Sequence, residues 1–280
     1  MKTLTLSIVI PVFNESRHID ACLQSVAAQL MPPTEVIVVD NSCTDDTIEK
    51  ARKFPFVKVV NEPIQGRSHA RNKGFNSATG DIIGRIDADT RLEKDWVQNV
   101  KRAFDDPLVM AITGPANTHT ISETRGIYTT LWSSLYLIAA GAYFRVPILW
   151  GSNMAIRRES WWLVKDSVCL DDKLVHEDQD ISIQLAIHRQ KAIFVRDVLI
   201  TSLERSFHHF LKLNEYTKRA YTSRHYNLEK YKDYYVKSYT HSALYKFAVL
   251  LPLSIFGALF YVSSFIYWVF SPIGSRLKKG

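Results

Sequence analysis

The sequence predicts an α/β protein in which a mostly parallel sheet is flanked by helices. Five short, strongly apolar segments are typical of strands covered on both faces: residues 4–12, 35–39, 57–60, 81–87 and 109–113. Helical patterns lie between them, with apolar positions three and four residues apart. Strands that alternate with helices in this way favour a parallel sheet.

The predicted helices have recognisable local signals. Asn14 can cap a first helix, which two prolines end. Its apolar positions are Ile19, Cys22, Leu23, Val26, Ala27 and Leu30. Asp45 and Asp46 favour the positive end of a second helix. A third helix is expected at residues 68–78 and a fourth at residues 96–104.

The last part of the sequence predicts a membrane-associated segment. Residues 247–270 are mostly apolar and contain no charged residue. A helix of that length spans ~36 Å, against ~30 Å of hydrocarbon in a bilayer. We expect a membrane helix or hairpin there, with a buried core helix as the alternative. The chain then divides into a catalytic domain at residues 1–240 and a membrane-associated segment at residues 241–280.

Two further segments bear on the membrane. An uncharged stretch within residues 120–150 is a candidate for an inserted interfacial helix, with an ordinary core helix as the alternative. Residues 205–246 contain nine Lys or Arg and three acidic residues, interleaved with tyrosines, and carry most of the net charge of +7. Beside an apolar segment, this pattern favours anionic lipid headgroups over nucleic acid. A solvated helix face is the alternative.

The cysteines and the first residues point to a reducing compartment. Three scattered cysteines form no C-x-x-C pair, so neither a disulfide framework nor a cysteine zinc site is indicated. The sequence also begins without a signal-peptide pattern. These observations fit the cytoplasm, and together with the predicted membrane segment we expect a protein at the cell membrane whose catalytic domain faces the cytoplasm.

Asp87 and Asp89 follow the fourth predicted strand and carry the strongest chemical signal. Residues two apart on a strand face the same way, so the two carboxylates can converge on one ligand. Mg²⁺ and Mn²⁺ prefer oxygen ligands, and Mg²⁺ is often held by one or two carboxylates and by phosphate oxygens. Ligands of α/β proteins bind at the carboxyl ends of strands. The pair predicts a metal–diphosphate site, although a solvated turn is the simpler alternative.

Other polar residues fall where this topology forms its ligand crevice. Asp40 ends the second strand, where a carboxylate can accept hydrogen bonds from a base or a ribose. Arg71 stands early on a helix whose N-terminus could face a diphosphate. Gly151 would allow a ligand to approach the backbone closely. Glu177 and Asp178 open a later helix, either as dipole partners or with one of them as a general base.

The absence of two phosphate-binding motifs disfavours two enzyme classes. No G-x-G-x-x-G motif is present after the first strand, and no G-x-x-x-x-G-K-[ST] motif occurs anywhere. A nicotinamide-dependent oxidoreductase and a P-loop enzyme are therefore not expected.

Six motifs, in this order, resemble those of family 2 glycosyltransferases of the GT-A fold. They are SIVIPVFNE at residues 7–15, VVDNSCTDDT at 38–47, ARNKG at 70–74, DAD at 87–89, GSNMA at 151–155 and ED at 177–178. The resemblance covers about residues 4–190.

The resemblance implies a GT-A-type sheet and a metal-dependent, inverting transfer from a nucleotide-diphosphate sugar. The residues expected to contact the nucleotide are Glu15, Asp40, Arg71 and Asp87. Asp89 is expected to hold the divalent cation, Mn²⁺ or Mg²⁺. Asp178 is expected to be the catalytic base, and Glu177 is the neighbour from which sequence does not separate it.

The sequence also departs from the family. The Gln-x-x-Arg-Trp motif of processive members is absent, which favours transfer of one sugar. The expected donor is a UDP-sugar. His208 and His209 are weighed as further metal ligands against ordinary surface residues. The membrane segment suggests a polyprenyl-linked acceptor, with a soluble sugar as the other candidate. The alternatives to a glycosyltransferase are a sugar-phosphate nucleotidyltransferase and a catalytically silent membrane scaffold.

Overall fold

A computed structural model describes residues 3–118 and 147–202, together with residues 134, 137, 141, 222–223, 225–227 and 229–232. The strands are β1 (Leu6–Val12), β2 (Glu35–Asp40), β3 (Val57–Asn61), β4 (Ile82–Ile86), β5 (Thr90–Leu92), β6 (Ala111–Thr113), β7 (Ala116–Thr118), β8 (Asn153–Arg157), β9 (Ala192–Phe194) and β10 (Ile200–Ser202). The helices are α1 (Ile19–Ala27), α2 (Thr47–Ala51), α3 (Arg67–Ser77), α4 (Trp96–Ala103), α5 (Arg158–Val164) and α6 (Glu177–Ile187).

The main sheet is mostly parallel, as the sequence predicts. Within the described residues its strand order is β3-β2-β1-β4-β8-β6-β9, and a smaller sheet has the order β5-β10-β7. Strands β1 to β4 pair in parallel, so their carboxyl ends share one edge. Strand β8 lies between β4 and β6 and is antiparallel to both. Its first residue, Asn153, therefore pairs with Ile86, the last residue of β4, at that same edge.

Helices cover both faces of the main sheet. One hydrophobic cluster contains Leu23 of α1 and Trp96 of α4, and the other contains Phe75 of α3 and Trp161 of α5. Apolar strands with covered faces explain the near-continuous apolar segments in the sequence. Helix α3 packs very close to the sheet, because a Cβ atom at Gly74 would clash with Val9 Cγ1.

The predicted membrane segments lie largely outside this structure. Residues 247–270 and most of residues 120–150 are not among the described residues. Within the described part of the chain, no helix combines the length and the hydropathy needed to cross a bilayer. The C-terminal membrane helix or hairpin, the interfacial helix and the division at residue 240 therefore stay predictions.

Candidate active site

The predicted site residues gather at one edge of the main sheet. Glu15 follows β1, Asp40 ends β2, and Asp87 and Asp89 follow β4. The parallel pairing of these strands brings their carboxyl ends together. Helix α6 adds Asp178 there, because the Gly151 N–H just before β8 donates to Asp178 Oδ2 over 3.2 Å. The arrangement is a row of carboxylates along the edge of the sheet.

The loops after β1 and β2 are hydrogen-bonded to each other. The Glu15 N–H donates to Thr47 Oγ1 over 2.8 Å, and the Thr44 N–H donates to Asn14 Oδ1 over 2.8 Å. Asp40 Oδ1 accepts the Cys43 N–H at 2.9 Å, which closes the turn after β2. Asn14 adopts a positive φ of 54°, a conformation that asparagine tolerates better than most residues. These hydrogen bonds fix the positions of Glu15 and Asp40.

The carboxylates after β4 are only partly buried. The Asp87 side chain is 43% exposed, and its Oδ1 accepts from Arg85 Nη2 at 3.2 Å. The Asp87 carbonyl accepts the Thr90 N–H at 3.0 Å, so the two acidic residues lie in a tight turn. Both can therefore meet a ligand at the mouth of the crevice.

Glu177 and Asp178 open α6 in different environments. Glu177 is buried, and its Oε1 accepts from Arg85 Nη2 at 3.1 Å. Burial by itself would raise the pKa of Glu177, but nearby guanidiniums, that of Arg85 above all, hold it well below its usual range. Burial and the charge of Glu177 raise the pKa of Asp178. Asp178 is therefore the better proton acceptor of the two, and Glu177 stays ionised.

Arg71 lies behind the site. It is fully buried, its Nη1 donates to the Glu177 carbonyl, and its Nε and Nη2 donate to Asn72 Oδ1 over 2.9 and 2.7 Å. Burial lowers the pKa of Arg71 to about 10, so its guanidinium remains charged at neutral pH. In this conformation three nitrogens of the guanidinium group donate to other residues of the protein. The predicted nucleotide contact stays untested, while the observed contacts support the start of α6.

The N-terminus of α3, predicted to face a diphosphate, holds a carboxylate of the protein itself. Asp172, from the loop between α5 and α6, accepts the Arg67 N–H at 2.5 Å and the Ser68 N–H at 3.1 Å. Ser68 Oγ also donates to it. A helix N-terminus attracts anions, and here Asp172 fulfils that role. The loop that leads into α6 is thereby tied to α3.

The GSNMA segment has a structural role. A Cβ atom at Gly151 would lie 2.5 Å from Arg85 Nη1. The group that approaches this glycine closely is therefore the guanidinium of Arg85, whereas the sequence predicted a ligand there. The buried Asn153 accepts from Trp96 Nε1 at 2.9 Å and donates to the Pro115 and Val198 carbonyls. These bonds hold β8 in place beside β4.

Among the described residues, two places could hold a divalent cation. Asp89 offers a half-buried carboxylate at the end of β4, which fits an ion whose other ligands are phosphate and water oxygens. The ligand atoms of His176, Glu177 and Asp178 also lie within 4.8 Å of one another. Glu177, however, already pairs with a guanidinium, whose positive charge opposes a second cation. His208 and His209 lie outside the described residues.

Two residues of this site were missed by sequence reasoning. Arg85 could have been noticed, because it is a charged residue inside an apolar strand with an acidic residue two positions later, on the same face. Asp172 gave no such signal, since its partners are about 105 residues away in the chain.

Comparison with known proteins decides the family. Residues 7–163 match the family model described as "Glycosyl transferase family 2". The chain belongs to glycosyltransferase family 2. This membership confirms the predicted enzyme class and speaks against a nucleotidyltransferase.

Several curated proteins are similar to part of this chain. The cholesterol galactosyltransferase of Borreliella burgdorferi is 24% identical over 221 residues, which are 71% of this chain and 60% of the relative. The chain spans about a third of the length of the first curated relatives it matches.

Solved structures support the fold. The mannosyltransferase PcManGT of Pyrobaculum calidifontis, in complex with GDP-Man and Mn²⁺, has a TM-score of 0.57 at 21% identity, over 97% of this chain and 88% of that one. S. aureus TarS 1-349, in complex with UDP-GlcNAc, has a TM-score of 0.56 at 18% identity, over 72% of this chain and 59% of that one. These likenesses confirm the GT-A-type α/β fold.

Removal of the Asp172 carboxylate should weaken the tie between α3 and the loop before α6. We expect Asp172→Ala to lower the free energy of unfolding by about 1 kcal/mol, the usual cost of losing a helix-capping carboxylate. Chemical denaturation measures this change in the free energy of unfolding. Asp166→Ala is the matched control, because Asp166 is an exposed residue of the same loop that pairs with its neighbour Lys165; its effect should stay below about 0.5 kcal/mol. Equal effects of the two variants would contradict the role of Asp172.

Proposed function

We propose that this glycosyltransferase transfers a single sugar, with inversion, from a nucleotide-diphosphate sugar to an acceptor hydroxyl or phosphate. The observation that supports it most is the convergence of Asp40, Asp87, Asp89 and Asp178 on the carboxyl edge of a family 2 domain. Carboxylates from separate strand ends can divide the work of holding the nucleotide, the cation and the acceptor proton.

In this proposal the donor nucleotide lies across the ends of β1, β2 and β4. Asp40 and Glu15 are held by the interlocked loops, so they can accept hydrogen bonds from a base and a ribose without rearrangement. The exposed carboxylate of Asp87 meets the nucleoside as well. PcManGT binds GDP-Man and TarS binds UDP-GlcNAc, which supports a nucleotide sugar in general. We infer a UDP-sugar as the first donor to test.

Asp89 is the proposed ligand of the divalent cation, Mn²⁺ or Mg²⁺. Such an ion neutralises the charge that develops on the departing diphosphate. The Mn²⁺ in the PcManGT complex supports a divalent cation for this chain too. Glu177, being paired with Arg85, is left to position the site.

Asp178 is the proposed catalytic base. A base must accept the acceptor proton as the oxygen attacks the sugar, and the raised pKa of Asp178 suits that role. The Gly151 N–H donates to one carboxylate oxygen of Asp178, Oδ2. The other oxygen, Oδ1, accepts the N–H of the adjacent Gln179 at 2.8 Å and is left to the acceptor.

We propose further that the acceptor is lipid-linked and that the protein works at the cytoplasmic face of the cell membrane. The apolar residues 247–270 and the basic residues 205–246 support this arrangement. The relative named cholesterol galactosyltransferase is consistent with a lipid acceptor. A soluble sugar is the competing acceptor, and a transfer assay that offers both kinds of acceptor separates the two.

The first test is release and transfer of sugar from a panel of UDP- and GDP-sugars by the full-length protein in detergent. It is run with Mn²⁺, with Mg²⁺ and with EDTA, with polyprenyl phosphate or a free sugar as acceptor. We expect one donor to turn over only with metal, and Asp89→Asn to lower the rate at least about tenfold. Asp178→Asn should lower kcat by about 10²- to 10⁴-fold, because it removes the base.

Asp105→Asn is the matched control for these two variants, since it removes an exposed carboxylate away from the site and should leave the rate unchanged. No turnover and no nucleotide binding across the panel would favour the silent scaffold. Transfer to free sugars alone would contradict the lipid-linked acceptor.

The pH dependence of kcat/KM tests the assignment of Asp178 as base. A base works only when deprotonated, so the rate falls as the pH drops through the pKa of Asp178. Glu177→Gln removes the negative charge that raises this pKa, while the amide can still accept from Arg85. The acid limb should therefore move to lower pH. An acid limb that does not move would contradict the assignment of Asp178 as the base whose pKa is raised by the charge of Glu177.

A further inference from the structure

Arg85 is a buried cation in the middle of the main sheet. It lies in β4 between Val9 of β1 and Met154 of β8, and its side chain is only 4% exposed. A guanidinium in such a place must be neutralised by nearby carboxylates, because desolvating a charge is costly.

The carboxylates that neutralise it belong to two different parts of the site. Arg85 Nη2 lies 3.2 Å from Asp87 Oδ1, at the end of β4, and 3.1 Å from Glu177 Oε1, at the start of α6. One neighbour is a proposed donor contact, and the other adjoins the proposed base. A single nitrogen therefore joins the donor side of the crevice to the acceptor side.

Gly151 provides a second connection from Arg85 to Asp178. The space a Cβ would need at Gly151 is filled by the guanidinium, with Nη1 at 2.5 Å and Cζ at 2.9 Å. The N–H of the same glycine donates to Asp178 Oδ2. The position of the guanidinium thus sets that of the backbone group that orients the base.

The bonding of Arg85 is poor for stability alone. Its Nε and Nη1 have no hydrogen-bond partner within the described part of the chain. Buried donors without acceptors reduce stability, and an apolar side chain of similar size would avoid that cost. A residue with this cost, next to two proposed site carboxylates, indicates a functional constraint.

We propose that Arg85 is a positioning residue that couples the donor-binding carboxylate Asp87 to the catalytic base Asp178, through Glu177 and Gly151. This inference rests on the proposed function, in which Asp87 contacts the donor and Asp178 takes the acceptor proton. Arg85 itself does not touch either substrate.

The test compares full-length wild type with Arg85→Lys and Arg85→Met. Lysine keeps the charge but does not reproduce the planar guanidinium that reaches both carboxylates and lies against Gly151. We expect kcat to fall about tenfold in Arg85→Lys and about 100-fold in Arg85→Met, with a smaller change in donor KM, because a slight displacement of a base costs that much. Arg102→Met, which removes an exposed arginine of α4, is the matched control and should keep wild-type kcat.

The pH profile separates positioning from general damage. The charged or titratable groups that act on Asp178 include Glu177, His176, Arg85 and Arg71. Loss of the positive charge in Arg85→Met should move the acid limb of kcat/KM to higher pH, opposite to the shift expected for Glu177→Gln. A lower kcat with an unmoved limb would mean a structural defect only, and would overturn the proposal.

Gly151→Ala keeps the proposal testable if Arg85→Met does not fold, as judged by circular dichroism. The added methyl must displace the guanidinium, so kcat should fall although every charge is kept. Wild-type kcat in folded Gly151→Ala and Arg85→Lys would overturn the inference while leaving the proposed function intact. Absence of turnover by the wild type itself would instead reject the proposed function.

Discussion

The rest of this site depends on the need to neutralise a guanidinium buried in the sheet. Arg85 lies where β1, β4 and β8 meet, and Asp87 and Glu177 are the carboxylates paired with it. Because Glu177 is the first residue of α6, the ion pair holds the start of that helix beside β4. Asp178 is the next residue, so the same interaction that satisfies a buried charge also places the proposed base.

Helix α3 supports the same region from the other side. Asp172 occupies its N-terminus, and Arg71, four residues further along, donates to the Glu177 carbonyl. Both contacts reach the chain around the start of α6, and α3 itself is pressed against the sheet at Gly74. The start of α6 is therefore held by a packed helix and a buried ion pair. A base that is fixed before the substrate arrives loses little entropy on binding it.

Much of the fold could be predicted because it is local. Strands β1 to β4 are apolar segments, α1 has a clear helical spacing, and each predicted bound lies within a few residues of the observed one. The antiparallel insertion of β8 and the small β5-β10-β7 sheet depend on contacts between distant segments, which no local pattern records. The carboxylates at the strand ends were predicted from topology, whereas the burial of Arg71 and the capping by Asp172 depend on the packing of α3 against a loop about 105 residues away.

The position of the metal can be measured directly. Crystals of the protein grown with Mn²⁺ and a nucleoside diphosphate would reveal the ion by its anomalous scattering. We predict a single manganese on Asp89, with Glu177 still paired to Arg85 and Asp178 free of metal. Manganese bound instead by His176, Glu177 and Asp178 would contradict it, because that ion would occupy the proposed base and break the ion pair on which the site depends.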